Sequence, residues 1–246
     1  MVAISSPVVK LLRAGRLGYL PALRLQKLVR SSILEEGGSP TGHTLILVEH
    51  EPVYTLGLRE NPDPDETSKL ISTGAEVVHS DRGGLTTFHG PGQLVAYPIF
   101  HLGSFRKLPL RSYIAKLELV AVQTCRLLGV LAQLSGKDVS HTGAWANDAK
   151  ICAIGVHCKR HVTTHGLALN CNVDLAWFQH IVPCGIKDKG VTSLSHELNE
   201  DCSPQDAESS LISSFQNIFS CKIQQMGDDE VKKLVNKAMS PSTYNM

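Results

Sequence analysis

The sequence predicts an α+β protein in which a mixed sheet is flanked by helices. Short apolar runs of strand length and longer amphipathic stretches follow one another without strict strand-helix-strand alternation. The 246 residues, 42% of them hydrophobic and 19% charged, are enough for one soluble core that needs neither disulfides nor a metal to fold. We assign residues 1–200 to the main domain and residues 201–246 to a helical tail packed on it.

The chain up to residue 80 contains three strand-like runs, one helix-like stretch and one polar segment. Tyr19–Leu34 carries apolar residues at helical spacing and predicts a helix. Asn61–Glu66 holds two prolines and three acids, which predicts an exposed loop. The runs that predict strands are short and apolar: Val8–Leu12, Thr44–Glu49 and Ala75–His79.

The second half contains the clearest helix and a pair of neighbouring strands. Arg111–Leu128 places apolar residues at three- and four-residue steps, and Gly129 is positioned to end the helix. Lys150–His157 and Thr163–Asn170 predict two strands separated by a basic turn. In the tail, the proline that follows Ser203 marks a helix start, and residues 228–239 predict a second, polar helix.

Charge and composition exclude several classes of function. With 24 Lys+Arg against 23 Asp+Glu, the net charge of +1 argues against a dedicated nucleic-acid binder, which needs a basic excess. The sequence has no run of roughly 20 apolar residues, the length needed to span a bilayer. The seven cysteines include no C-x-x-C pair, and no metal site is predicted. We expect free thiols in a reducing compartment.

The N-terminal segment is basic. Its first 34 residues contain six Lys or Arg residues and no acid before Glu35. Arg-rich, acid-free starts are typical of mitochondrial presequences. The same residues also have the pattern of a strand and a helix, so they can belong to the fold itself and a mitochondrial address remains compatible with that interpretation.

Residues 82–93 form a glycine-rich segment with four glycines in twelve positions. Glycine is used where the backbone turns with positive φ or approaches a ligand closely. The segment is neither a P-loop nor a G-x-G-x-x-G motif. Strand-like residues on both sides, Leu85–Phe88 and Leu94–Ile99, predict a loop or hairpin that lines a pocket, with Arg82 and His89 at its two ends. A purely structural hairpin is the alternative.

Cys184 lies between Pro183 and Gly185, which predicts irregular backbone suited to an accessible nucleophile. A free thiol with a pKa near 8.5 is only a few per cent thiolate at neutral pH, and a neighbouring cation would lower that pKa. Lys150 is a candidate, since it begins an apolar strand where a charge needs a partner. The alternative for Cys184 is a small buried hydrophobic residue. Spacing alone does not bring these two residues together.

Taken together, these segments resemble the lipoyl(octanoyl) transferases, which attach octanoyl groups to lipoyl domains. The resemblance extends from about Val8 to Leu198, whereas the tail after Asp201 has no counterpart. Cys152 stands where a smaller, alanine-like residue is expected. Four motifs carry the resemblance: R-G-G-x-x-T-x-H-G-P-G-Q at residues 82–93, K-I-x-A-I-G at 150–155, T-x-H-G-x-A-L-N at 163–170, and P-C-G-I…G-V-T-S-L at 183–194.

The resemblance implies the fold of lipoate and biotin protein ligases and assigns roles to individual residues. It implies that Cys184 is the catalytic nucleophile that carries the acyl group as a thioester, and that Lys150 lowers its pKa. His165 is a further, supporting candidate. The residues implied to bind the acyl group are Arg82, Gly83, Gly84, Leu85, Thr86, Thr87, Phe88, His89, Ala153, Ile154, Gly155, Gly166, Leu167 and Ala168.

The implied activity is transfer of octanoyl from octanoyl-acyl carrier protein to a lysine of lipoyl domains, without a cofactor. The implied acceptors are the E2 subunits of 2-oxoacid dehydrogenases and the glycine cleavage H protein. A mitochondrial monomer is expected. Two alternatives remain open: an ATP-dependent lipoate or biotin protein ligase on the same fold, which would need no cysteine, and a non-catalytic acyl-binding protein.

Overall fold

The computed structural model describes residues 6–35, 42–60, 63–134, 142–181 and 189–240. A large mixed sheet runs through these residues and a small sheet packs beside it, as the predicted α+β class requires. The strands are β1 (Val8–Leu17), β2 (Thr44–His50), β3 (Val53–Leu56), β4 (Glu76–His79), β5 (Thr87–His89), β6 (Gln93–Ile99), β7 (Gln133–Leu134), β8 (Gly143–Ala146), β9 (Ala149–Lys159), β10 (Val162–Asn170) and β11 (Lys222–Gln225). The α-helices are α1 (Tyr19–Glu35), α2 (Pro64–Ser72), α3 (Leu110–Leu127), α4 (Leu194–Leu198), α5 (Pro204–Phe219) and α6 (Asp228–Met239).

The large sheet has eight strands in the order β11-β1-β2-β6-β10-β9-β8-β7. β1 is parallel to both β11 and β2, and the remaining neighbours are antiparallel. The small sheet has the order β4-β3-β5. β5 lies within the glycine-rich segment and pairs with β3, whereas β6 pairs with β2 and β10. The end of the glycine-rich segment therefore carries the chain from one sheet to the other.

The large sheet is buried on both faces. One face packs against α3 and α5, and the cluster there includes Leu45, Leu94 and Leu117. The other face packs against α1 and α6, through residues such as Leu25 and Val95. Successive side chains of β6 point to opposite faces of the sheet, so Leu94 packs on one face and Val95 on the other. The helical spacing of α1 places its apolar residues on the side that faces the sheet.

The small sheet has its own aromatic cluster. Phe88 is fully buried and stacks on Trp177 with ring centroids 4.9 Å apart. Tyr54 and Phe178 complete this cluster from β3 and from the 3-10 segment Leu175–His180. The cluster anchors the small sheet and the glycine-rich segment beside the large sheet.

Two sequence expectations are corrected by the structure, and a third is decided between its two alternatives. The Asn61–Glu66 loop extends only to Asp63, which caps α2 by accepting from the amide of Asp65, and Pro64 begins the helix because its fixed φ suits the first turn. Of the loop and the hairpin predicted for the glycine-rich segment, the structure shows the loop, since β5 and β6 belong to different sheets. The tail is not purely helical: β11 extends the large sheet beside β1.

The other expected elements are confirmed, with ends that differ by a few residues. No helix among the described residues is long and apolar enough to cross a membrane. The cysteines of the described ranges are all free thiols, and most are buried.

Candidate active site

A pocket lies between the large sheet, the glycine-rich segment and the start of α1. About 450 Å³ of empty space lies between its walls and its open mouth. The lining is mostly apolar and comes from all three structural layers: Tyr19, Arg82, Gly84, Leu85, Thr87, His89, Val95, Tyr97, Ala153, Ile154, Gly155, His165, Gly166, Leu167 and Ala168.

Most of the predicted pocket residues are therefore brought together, but three lie elsewhere. Gly83 uses its amide to bind the carbonyl of Val156 at 3.0 Å, which fastens the glycine-rich segment to β9. The amide of Thr86 donates to Glu60 at 2.8 Å. Phe88 points into the aromatic cluster of the small sheet, because strand alternation sends the side chains of Thr87 and His89 to the opposite side.

Small residues keep the pocket open and its walls close together. A Cβ atom on Gly166 would overlap the backbone of Ala96 on the neighbouring strand. A Cβ atom on Gly155 would lie 2.9 Å from the carbonyl oxygen of Gly83. Glycine at these two positions thus permits a close approach of backbone to backbone that any larger residue would prevent.

Arg82 is buried at one end of the pocket. Its Nε donates to the hydroxyl of Thr55 at 3.1 Å, and its Nη2 donates to the same hydroxyl at 2.8 Å and to the Thr55 carbonyl. A third contact joins Nη1 to the carbonyl of Gly83 at 3.1 Å. These bonds fix the guanidinium, which ties the glycine-rich segment to β3.

His89 is buried in the pocket wall and is held in one orientation. Its Nδ1 lies 3.0 Å from Oε1 of Gln93, and its ring stacks parallel to that of Tyr19 with centroids 6.2 Å apart. Burial, with the nearby His50 and Arg82, lowers the pKa of His89 well below its usual range. The imidazole is therefore neutral at physiological pH, with Nδ1 donating to Gln93.

The buried side chain of His165 pairs with the partly exposed carboxylate of Asp81. Its Nε2 lies 2.7 Å from Oδ1 of Asp81, and Nδ1 of His157 lies 2.8 Å from the main-chain carbonyl oxygen of the same aspartate. The hydrogen bond from His165 lowers the pKa of Asp81 to about 2. His165 has a φ of 58°, in the left-handed region that non-glycine residues seldom occupy. The pair holds the imidazole against the pocket at a strained position of β10.

Sequence reasoning missed Tyr19, Val95 and Tyr97 as lining residues. Tyr19 lies at the first residue of α1, and the other two lie on β6, between the predicted motifs. The hydroxyl of Tyr19 lies 2.7 Å from Ser80, and both tyrosines are almost fully buried. A buried tyrosine needs a polar partner for its hydroxyl. The sequence does not show which residue that partner is, because the partner comes from another part of the fold.

Lys150 is buried, with a relative exposure of 4%. Lysine is almost never fully buried unless its ammonium has a partner. Its Nζ donates to the carbonyl of Thr142 at 3.3 Å and lies 5.0 Å from the ring centre of Trp145. The backbone of Lys150 accepts from the amide of Thr192 at 3.0 Å and donates to the carbonyl of Gly190 at 2.9 Å.

Cys184 lies in residues 182–188, outside the described residues. The described residues that follow this range lie beside Lys150: Val191 forms a parallel β-bridge with Lys150. Among the residues that the structure describes, no group of three or more His, Cys, Asp or Glu side chains is arranged to hold a metal ion.

Comparison with known proteins identifies the family to which this fold and pocket belong. The model of the lipoyl protein ligase A/B catalytic domain matches residues 19–216. The chain therefore belongs to this family. The match ends at residue 216, within α5.

Relatives within the family are octanoyltransferases. The mitochondrial octanoyl-acyl-carrier-protein:protein N-octanoyltransferase of Danio rerio is 46% identical over 92% of this chain and 99% of its own length. The mitochondrial enzyme of the same name from Homo sapiens is 45% identical over 88% of this chain and 96% of its own length. An octanoyltransferase from Caldanaerobacter subterraneus is 37% identical over 86% of this chain and 91% of its length.

Solved structures confirm the predicted fold. Lipoate-protein ligase A bound with ATP superposes with a TM-score of 0.70, covering 95% of this chain and 94% of that chain at 16% identity. The lipoate-bound LipL1 of P. falciparum superposes with a TM-score of 0.64 at 14% identity, covering 94% of this chain and 72% of that one. At this level of identity the likeness concerns the fold alone.

Proposed function

We propose that this protein transfers an octanoyl group from octanoyl-acyl carrier protein to a lysine of lipoyl domains, through a thioester on Cys184. The acceptors are the E2 subunits of 2-oxoacid dehydrogenases and the glycine cleavage H protein. The observation that carries the proposal is the buried ammonium of Lys150, which lies on β9, three residues before the pocket residue Ala153, and pairs with the chain that follows the Cys184 segment.

In the first step, the thiolate of Cys184 attacks the thioester carbonyl of the donor. A carbon–sulfur bond to Cys184 forms, the bond to the carrier sulfur breaks, and the carrier thiolate takes a proton from water. Lys150 supports this step because an ammonium beside a thiol stabilises the thiolate and lowers the thiol pKa. One thioester replaces another, so the exchange needs no ATP.

In the second step, the neutral amine of the target lysine attacks the thioester on Cys184. A carbon–nitrogen bond forms and the carbon–sulfur bond breaks, which returns Cys184 to its thiolate form. The proton that the amine loses passes to solvent through the neighbourhood of Lys150. General acid–base assistance of this kind contributes about 10²–10⁴-fold to a rate. An amide is more stable than a thioester, so the step runs forward.

The pocket is the binding site that we propose for the octanoyl chain. Its apolar lining removes methylene groups from water, and each buried CH₂ contributes roughly 0.8 kcal/mol. The small side chains of Ala153 and Ala168, with Gly155 and Gly166, leave a slot along β9 and β10 for an unbranched chain.

A mass measurement tests the proposal most directly. The protein is incubated with octanoyl-acyl carrier protein, quenched and digested, and every cysteine peptide is weighed. We expect an octanoyl adduct on Cys184 that disappears in Cys184→Ser. Cys158→Ser is the matched control, since Cys158 is a partly exposed free thiol on the same strand as Lys150. Transfer that survives in Cys184→Ser, or an adduct on another cysteine, contradicts the proposal.

The same assay separates the transferase from a ligase on this fold. A ligase would attach free octanoate in the presence of ATP and would ignore the carrier-bound donor. We propose that the protein works as a monomer without a cofactor. The mitochondrial location predicted from the sequence agrees with the names of the Danio rerio and Homo sapiens relatives, both called mitochondrial.

A further inference from the structure

Four buried residues form a continuous chain of hydrogen bonds from the pocket to Lys150. His89 Nδ1 lies 3.0 Å from Gln93 Oε1, and Gln93 Nε2 donates to Asn170 Oδ1 at 2.9 Å. Asn170 Nδ2 donates to the carbonyl of Thr192 at 2.8 Å, and the amide of Thr192 donates to the carbonyl of Lys150 at 3.0 Å. Gln93, Asn170 and Thr192 are each at most 3% exposed.

The direction of every bond in this chain is determined by its partners. The Gln93 amide nitrogen also donates to the carbonyl of Phe88 at 3.2 Å, so its oxygen faces His89. Asn170 donates to a carbonyl, which only accepts, so its own oxygen faces Gln93. Neither amide can turn over without leaving a buried donor or acceptor unpaired, which costs about 1–3 kcal/mol.

Asn170 stands at the junction of this chain. It is the last residue of β10, and its two polar atoms contact two different parts of the molecule: the loop end of β6 and the extended segment Gly190–Thr192. That segment is held on its other side by Lys150, through the two backbone bonds at 2.9 and 3.0 Å. The position of the segment relative to Lys150 thus depends on a side chain that contacts neither the ammonium nor the pocket.

We propose that Asn170 is a positioning residue for the acyl-transfer reaction, which sets the segment Gly190–Thr192 against Lys150 and, through Gln93, orients His89 in the pocket wall. This inference rests on the proposed function. A displacement of about 1 Å at a reacting group can cost on the order of 100-fold in rate. Loss of the Asn170 donor therefore lowers the rate of acyl transfer while the binding of the octanoyl donor is retained.

Asn170→Asp tests the inference, because a carboxylate keeps the size and the bond from Gln93 but places an acceptor against the carbonyl of Thr192. Asn170→Ser is a second variant with no charge, for the case in which the aspartate variant folds poorly. The matched control is Asn172→Asp, two residues away, where the amide donates to Asp201 at the exposed surface.

Three measurements are made on each variant: kcat and KM for transfer from octanoyl-acyl carrier protein, the pH dependence of Cys184 alkylation by iodoacetamide, and the melting temperature. We expect both Asn170 variants to lower kcat by about 10–100-fold with KM little changed. We also expect the alkylation midpoint to rise by about one pH unit, as a thiol displaced from a cation does. Asn172→Asp leaves both unchanged.

The inference is overturned if both Asn170 variants match the control in kcat and in alkylation midpoint, or if only their melting temperatures fall. The octanoyl adduct on Cys184 in the unchanged protein tests the proposed function by itself. The alkylation midpoint is measured without an octanoyl donor. The role of Asn170 and the octanoyl transfer can therefore be refuted separately.

Discussion

The hydroxyl of Tyr97 lies 2.7 Å from Nε2 of His50, and Nδ1 of His50 lies 3.0 Å from the carbonyl of Leu17. A carbonyl only accepts, so Nδ1 carries the proton and Nε2 accepts from Tyr97. Tyr97 also lines the pocket. One wall of the pocket is therefore fastened to β2 by a neutral histidine.

Replacing Tyr97 with Phe leaves Nε2 of His50 buried without a donor. We expect Tyr97→Phe to lower the free energy of unfolding by about 1–3 kcal/mol, the cost of an unpaired buried acceptor. Urea unfolding at neutral pH measures the loss. Tyr113→Phe is the control, because the Tyr113 hydroxyl donates at 3.3 Å to the carbonyl of Pro98, which also accepts from Thr163 at 2.7 Å. Equal losses in the two variants would contradict this expectation.

The stability of the protein should fall as the pH drops from about 6.5 to 4. Burial lowers the pKa of His50 to about 4, from an ordinary value of 6.5. Within this window the unfolded chain binds a proton that the folded protein excludes, so stability is complete above pH 6.5 and decreases toward pH 4. The loss from His50 is of the order of 3 kcal/mol.

Burial also lowers the pKa of His43 to about 4, so this residue acts in the same direction. Urea unfolding at several pH values between 7 and 4.5 measures the combined slope. His180→Gln, at an exposed position, is measured alongside as the control variant. A free energy of unfolding that is constant across this range would refute the expectation.

Filling the pocket should change the preferred length of the acyl chain. Ala168→Leu places a larger side chain on the pocket floor, where β10 pairs with Ala153 of β9 and Val95 of β6. We expect octanoyl transfer to fall by about 10-fold or more, with hexanoyl transfer less affected, because each CH₂ that no longer fits loses about 0.8 kcal/mol. Rates with hexanoyl and octanoyl donors measure the ratio. Ala176→Leu, at an exposed position, should not alter it, and an unchanged ratio in Ala168→Leu would count against the pocket as the acyl site.

Lys150→Met removes the ammonium with little change in volume. We expect octanoyl transfer to fall by about 10²–10⁴-fold, with alkylation of Cys184 at neutral pH slowed as its thiolate fraction drops. Lys189→Met is a demanding control, because the Lys189 ammonium lies 5.2 Å from the same Trp145 ring but pairs with Asp148 at 2.8 Å on the surface. Comparable losses of transfer in the two variants would contradict a specific role for Lys150, because any positive charge near Trp145 would then support the reaction.

Local patterns predicted most of the elements, because burial on one side imposes a period on each strand and helix. Tyr19–Leu34 and residues 228–239 were found in this way. The start of α2 was missed because prolines and acids, which suit a loop, also suit the first helical turn, where Pro64 and Asp65 stand. β11 was missed because a four-residue edge strand has too short a pattern to stand out.

For the site, the motifs identified the residues but not their directions. Phe88 belongs to the same motif as His89, yet pairing with β3 sends its ring into the small sheet. Tyr19 and Tyr97 became lining residues only through the packing of α1 on β6. The link from Asn170 to Thr192 joins positions 22 residues apart, and no spacing rule encodes such a contact.

The pairing of β1 with β11 has a consequence for how the protein is made. Val8 is aligned with Lys222, so β1 borders a strand that is synthesised 214 residues later. Contacts this distant in sequence form slowly. During synthesis, the outer edge of β1 therefore stays unpaired until nearly the whole chain has emerged, and such an edge is a template for aggregation. Truncation before β11 would make that temporary exposure permanent.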